Sequence, residues 1–308
     1  MKIEEIPKTL FHYCSLPKFL SITQAHEIWL SDLFKTNDSM EQKWIYHFLE
    51  QVVHYLCQQN LSTEENGNDL YQTYSSIFAK RQSDLDKKVL LNTVHLLQSM
   101  QEEAFIPCGL CMCTDGDLLS QWRSYADLGA GVAIGFCSNE FASLSSAVST
   151  NLSFGPINYN LSDQINHLIP LVNKYFINTI SATEKEKKLN AGLILSDIFE
   201  KALFFKNPAF AEEKEWRLLY MDSKRQPSLK EHMLQSTSLK LSERRWSTNG
   251  KTLTSYRALN FENAPNLISE IVLGPRCDIS NEDISLFLQD AGYDSKNIRI
   301  TRSSASLR

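Results

Sequence analysis

The chain has 308 residues, of which 43% are hydrophobic and 22% charged, and its formal net charge is −5. These values fit a folded protein with a substantial core and argue against long disordered stretches. The mildly acidic balance gives no global attraction for nucleic acid or anionic lipid, which leaves only a local basic patch for such partners.

The first residues, Met1 to Ile6, include Glu4 and Glu5 and lack the apolar stretch of a secretory signal. No apolar run approaches the length of a membrane helix. Seven cysteines (Cys14, Cys57, Cys108, Cys111, Cys113, Cys137 and Cys277) lie in apolar segments, the usage of a reducing compartment. The expectation is a cytoplasmic protein with no membrane partner.

Leu10-Phe11-His12-Tyr13-Cys14 is β-prone and aromatic. Ser15 offers an N-cap, with Pro17 in the first turn, for a short helix to Ala25. Glu27 to Ser31 reads as a second strand. The turn Lys35 to Asp38 leads into a helix over 39–59, where Ile45, Phe48, Leu49, Val52 and Leu56 keep helical spacing. Two more helices are expected over 68–80 and 83–103, the second opened by Ser83 with Asp86 three positions on.

Strand character returns at Ile106–Thr114, followed by a short helix, Leu118–Ala126, and a glycine-flanked strand, Gly131–Phe136. A strand at Leu152–Tyr159 precedes a helical block over about 162–206. The last third is mainly strands: Glu215–Tyr220, Leu239–Trp246, Ser255–Phe261 and Ile271–Leu273. A helix over 281–290 and a strand at Ile298–Ile300 finish the pattern. The fold class is therefore α+β: a mixed or antiparallel β core in one composite domain, with helical insertions at about 40–104 and 162–206.

Four segments concentrate polar and aromatic residues at strand ends or turns. The first is His12-Tyr13 with Ser15; in a strand, His12 and Tyr13 face opposite ways. The second, Asn37-Asp38-Ser39-Met40-Glu41, also suits an ordinary helix start. In the third, Gln121 to Ala126, Trp122, Tyr125 and Ala126 share a helical face that usually means core, whereas Arg123 points elsewhere and suits an anion. In the fourth, Glu212 to Arg217, strand alternation puts Glu213, Glu215 and Arg217 on one face. Those charges need pairing or a function, and an internal Glu215–Arg217 ion pair competes evenly with an active site.

Cys108-x-x-Cys111-x-Cys113 lacks the second ligand pair that zinc wants, so no metal site is expected and Cys111 and Cys113 read as core-facing neighbours. Hydrolase, zinc-protease, NTPase and EF-hand motifs are absent.

These segments, in this order, resemble the bacterial family catalogued as domain of unknown function 2971. The likeness rests on Phe11 to Ser15, Ile28-Trp29-Leu30-Ser31 and Asn37-Asp38-x-x-Glu41. It continues through Cys111-x-Cys113, Gln121-Trp122-x-x-Tyr125-Ala126, Gly131 to Phe136, Lys214-Glu215-Trp216-Arg217 and Ile271 to Pro275. Ser39 stands where the family usually has proline, a change a helix start tolerates. The family label implies kinship and no activity.

The order of parts also resembles the layout of NAD-dependent ADP-ribosyltransferases. That resemblance implies NAD as substrate, with His12 bonding the ribose or the nicotinamide amide and Tyr125 or Trp122 stacking on nicotinamide. It further implies that Glu215, with Glu213 beside it, stabilises the oxocarbenium-like state as nicotinamide leaves. Tyr13, Ser15, Asn37, Asp38, Glu41, Arg123 and Arg217 complete the candidate binding set.

Two other readings stay open. Asp38, Glu41, Glu213 and Glu215 converging on Mg²⁺ or Mn²⁺, with Arg123 and Arg217 on phosphate, would make a nuclease or phosphodiesterase. Alternatively the chain is a non-enzymatic ligand-sensing or interaction module of a defence or stress system. The sequence leaves the acceptor, protein or nucleic acid, and the oligomeric state open.

Overall fold

The computed structural model describes residues 5–35, 44, 103–146, 152–178, 183, 186, 197–224, 238–249 and 252–306. The helices expected over 39–59, 68–80 and 83–103 lie outside them, apart from Trp44, Glu103 and Ala104. The chain divides into two compact units, each drawn from separated stretches. One holds 1–36, 106–157 and 211–308; the other holds 37–105 and 158–210.

Among the described residues the first unit carries a mixed sheet of ten strands. They are β1 (Thr9–Cys14), β2 (Glu27–Asp32), β3 (Phe105–Cys113), β4 (Val132–Cys137) and β5 (Leu152–Pro156), then β6 (Glu215–Ser223), β7 (Lys240–Asn249), β8 (Thr252–Asn260), β9 (Ile268–Leu273) and β10 (Arg299–Arg302). The path runs β10-β9-β4-β1-β3-β2-β8-β7, while β6 branches off β3 and carries β5. β9 and β10 are parallel, whereas β1 pairs antiparallel with β4 and β3, and β2 with β3 and β8. The architecture is α+β, as the patterning predicts.

Alternation sorts the strands onto two faces. Leu10 and Cys14 of β1, Leu110 and Met112 of β3, and Trp216 and Leu218 of β6 enter the main core. Three helices cover that core: α1 (Leu16–Ala25) with Phe19, α3 (Ser138–Ser146) with Phe141 and Leu144, and α5 (Asn281–Asp290) with Ile284 and Leu288. Each fully buried large side chain contributes roughly 1.5–3 kcal/mol. The opposite face has a smaller cluster of Phe11, Tyr13, Cys113, Ala133 and Val272 under α2 (Leu119–Tyr125), which supplies Trp122.

Helix ends largely follow the sequence signals. Ser280 caps α5, its hydroxyl accepting from Asp283 N at 3.0 Å. Ser15 takes the extended cap conformation at α1 but makes no side-chain cap bond; its carbonyl accepts from Phe19 N at 2.9 Å instead. Gly131 is required because a Cβ there would collide with the Cys14 carbonyl.

The second unit contains α4 (Leu161–Asn178). Asn160 caps it, accepting from Asp163 N at 3.1 Å. Buried Gln164 donates to Asn158 O at 2.6 Å and Lys206 O at 2.9 Å and accepts from Trp44 Nε1 at 3.0 Å. Among the described residues no helix is long and apolar enough to cross a membrane.

Asp222, at the end of β6, is fully buried with Arg257 of β8. Its Oδ1 accepts from Arg257 Nη2 at 2.5 Å, and its Oδ2 accepts from Arg257 Nε at 3.1 Å and Arg244 Nε at 2.8 Å. Asp222→Ala removes the buried carboxylate that pairs with both Arg257 and Arg244, so denaturant unfolding should show a loss of about 3–5 kcal/mol.

Candidate functional site

β3 is where the sheet forks. Its Gly109 pairs with Ser31 of β2 and its Cys113 with Phe11 of β1. Between those two pairings, His12 Nδ1 meets the Cys111 carbonyl at 3.1 Å. A carbonyl oxygen only accepts, so Nδ1 carries the proton and neutral His12 presents Nε2 as a bare acceptor. Among the described residues Nε2 meets no hydrogen-bond partner. Burial lowers the His12 pKa; the Cys111 hydrogen bond opposes that shift and the charge of Lys18 adds to it. His12 is therefore neutral at pH 7.

On the opposite face, Tyr13 and Trp122 meet edge to face with ring centroids 4.7 Å apart. The Tyr13 hydroxyl donates to Asp115 O at 2.8 Å and accepts from Leu118 N at 2.8 Å. The phenol thus clamps both ends of the turn between β3 and α2. Burial pushes its pKa well above the usual tyrosine range. Trp122 is fully buried, with its indole N–H on Asp117 Oδ1 at 2.8 Å.

The same turn reaches the start of β6. Lys214 O accepts from Thr114 N at 3.2 Å, and Lys214 Nζ pairs with Asp115 Oδ2 at 3.1 Å. Beyond it, Glu215 Oε1 accepts from Arg217 Nε at 3.0 Å and Nη2 at 2.6 Å. Their side chains are only 6% and 1% exposed. The two groups form a buried, oppositely charged pair within one strand.

The structure therefore gathers Tyr13 and Trp122 into one cluster and puts Lys214 against the turn below it. Because Trp216 enters the main core, alternation places Glu215 and Arg217 on the face of Tyr13, away from His12. Glu213 closes the 3-10 turn Pro208–Glu213. Ser15 is half-buried at the start of α1, and Arg123 is exposed. Asn37, Asp38 and Glu41 lie outside the described residues, so two of the four carboxylates named for a metal cannot be placed. Among the described residues no group of three or more His, Cys, Asp or Glu side chains is positioned to hold a metal ion.

Two expectations need correction. Tyr125 does not share the burial of Trp122 and Ala126; it is 47% exposed. The cause is that α2 ends at Tyr125, and Asp127 and Leu128 turn left-handed at φ of 50° and 51°. Cys111 and Cys113 are not both core residues, because α2 covers Cys113 while Cys111 is exposed. Burial raises the Cys113 thiol to about 11, which makes it a poor nucleophile.

Asp115, Asp117 and Asp222 escaped the sequence reading. The Asp115-Gly116-Asp117 turn was the available signal for the first two, since acids flanking a glycine between strand and helix commonly hydrogen-bond locally. Asp222 gave none, because its partners are remote in sequence.

An α+β protein with a forked sheet and a polar turn at its centre is the class these features define. Within it, residues 121–218 match the model of the family described as "Protein of unknown function (DUF2971)". The match runs from Gln121 at α2 to Leu218 of β6, so it includes both Trp122 and the Glu215–Arg217 pair. It supports the kinship read from the sequence. No curated protein and no solved structure matches the chain.

Tyr13→Phe should cost about 1–3 kcal/mol in denaturant unfolding, because Leu118 N and Asp115 O both lose a buried partner. For His12 the folded pKa lies below the unfolded one, so the unfolded chain takes up the proton first as pH falls. Urea midpoints from about pH 7 to about pH 5 should drop more steeply for the native chain than for His12→Gln.

Proposed function

We propose that the protein is an ADP-ribosyltransferase-like enzyme that uses NAD as substrate. The observation that carries this reading is His12 at the fork of the sheet, neutral and held with Nε2 available to accept from a ribose hydroxyl. The reading further requires NAD to reach past the sheet to Glu215, which pairs with Arg217 on the face opposite His12 and would supply negative charge where positive charge develops on the ribose. In the reaction the bond from ribose C1′ to the nicotinamide nitrogen breaks, and its electron pair leaves with nicotinamide. An acceptor nucleophile then bonds C1′ and gives up its proton. Trp122 and Tyr125 are the aromatic candidates for holding the nicotinamide ring.

One arrangement favours a second reading, a non-enzymatic interaction module of a defence or stress system. Glu215 and Arg217 are almost fully buried, pair with each other and face away from His12, as structural residues would.

Incubation with NAD labelled in the nicotinamide or the adenylate part separates the two. The enzyme reading expects nicotinamide release or a labelled acceptor, lost in Glu215→Gln and in His12→Ala while both variants keep cooperative unfolding. The module reading expects no turnover of NAD by any variant and a strongly lowered melting temperature for Glu215→Ala and Arg217→Ala. Label transfer that survives Glu215→Gln would reject the role given to that carboxylate.

A further inference from the structure

We infer that the C-terminal segment Arg302–Ala305 is a strap over the Tyr13–Trp122 cluster, with Asp117 as its clasp, and that it governs access to those rings. The access role rests on the NAD reading above; the strap itself does not.

The Asp117 carboxylate takes four hydrogen bonds. Oδ1 accepts from Trp122 Nε1 at 2.8 Å and from the Ser303 hydroxyl. Oδ2 accepts from Ser304 N at 2.7 Å and from the Ser304 hydroxyl at 2.8 Å. One side chain therefore fixes the indole and the strap together, so a change in either is felt by the other. Burial raises the Asp117 pKa, but the hydrogen bonds from Ser303, Trp122 and Ser304 outweigh it and leave the pKa below the usual carboxylate range. The clasp stays ionised at neutral pH.

The strap is tied firmly to the fold at its start. Arg302 Nη1 donates to Cys277 O at 3.0 Å, Arg302 Nη2 donates to Ile279 O, and Ser303 N donates to Leu273 O at 2.8 Å. Among the described residues Ala305 is the apolar contact past Ser304, packing with Leu118 against the cluster, and the Asp117 carboxylate holds Ser303 and Ser304. Because Trp122 is fully buried, neither of its faces can receive a ligand ring while this cover is in place.

The test uses Asp117→Asn and a chain shortened to end at Arg302, alongside the native chain. Asparagine keeps the size of Asp117 but puts an amide where a second accepting oxygen is needed. Hydrogen exchange at Ser304 and Ala305 should quicken by about tenfold or more in Asp117→Asn. Acrylamide quenching should rise in both variants, and the added component should vanish when Trp122→Phe is combined with either, which assigns it among the five tryptophans. Nicotinamide release from NAD should also rise in the shortened chain.

Native-like exchange in Asp117→Asn together with native-like quenching in both variants would overturn the strap. An opened strap with unchanged nicotinamide release would overturn its control of access while leaving the NAD reading intact. An opened strap with no release by any chain, native included, would uphold the closure and count against the NAD reading alone.

Discussion

One strand, β3, must satisfy three others, and the rest of the first unit is arranged around that demand. Its edges serve β1, β2 and β6, so the sheet cannot continue as a simple ribbon and divides. Where β1 and β2 part, the His12 imidazole meets the Cys111 carbonyl. The fork thereby fixes the tautomer of the ring it holds. Just past the C-terminal end of β3, the Tyr13 hydroxyl spans the turn into α2, tying the first strand to the central one a second time.

The same strands carry buried charge on both faces, and in each case the partner explains why burial is tolerated. On the main-core face Asp222 receives two guanidinium groups and Cys108 lies nearby, its thiol pushed up to about 12 by burial. On the other face Glu215 and Arg217 are two residues apart on one strand, the spacing that lets them meet without help from turns. Ion pairs of this kind are sensitive to the loss of one member rather than strong sources of net stability. They fix which face of β6 looks which way. That register sets where Lys214 meets Asp115.

Much of this was readable from the chain because local physics agreed with the fold. Strand-prone runs predicted β1, β2, β4 and the start of β6, and the helix placed over 281–290 is observed with Ser280 as its cap. α3 escaped notice because Ser138–Ser146 is mostly small and polar, with Phe141 and Leu144 its large buried groups. β6 runs on to Ser223 since Asp222 finds Arg257, 35 positions later, a pairing no local pattern announces. In the site, Tyr13, Trp122 and the Glu215–Arg217 pair stood out by composition. Asp117 did not, because its strap partner Ser304 is 187 residues away and nothing in either short segment marks the other.

The functional account turns on the state of one imidazole. Long-range proton–nitrogen spectra of histidine-labelled protein read that state directly, with His12→Gln identifying the resonances. The account predicts a neutral ring at pH 7 with the proton on Nδ1, and an Nε2 signal that moves as NAD is added to saturation. A ring protonated on Nε2, or one whose nitrogen signals stay fixed throughout the titration, would contradict it.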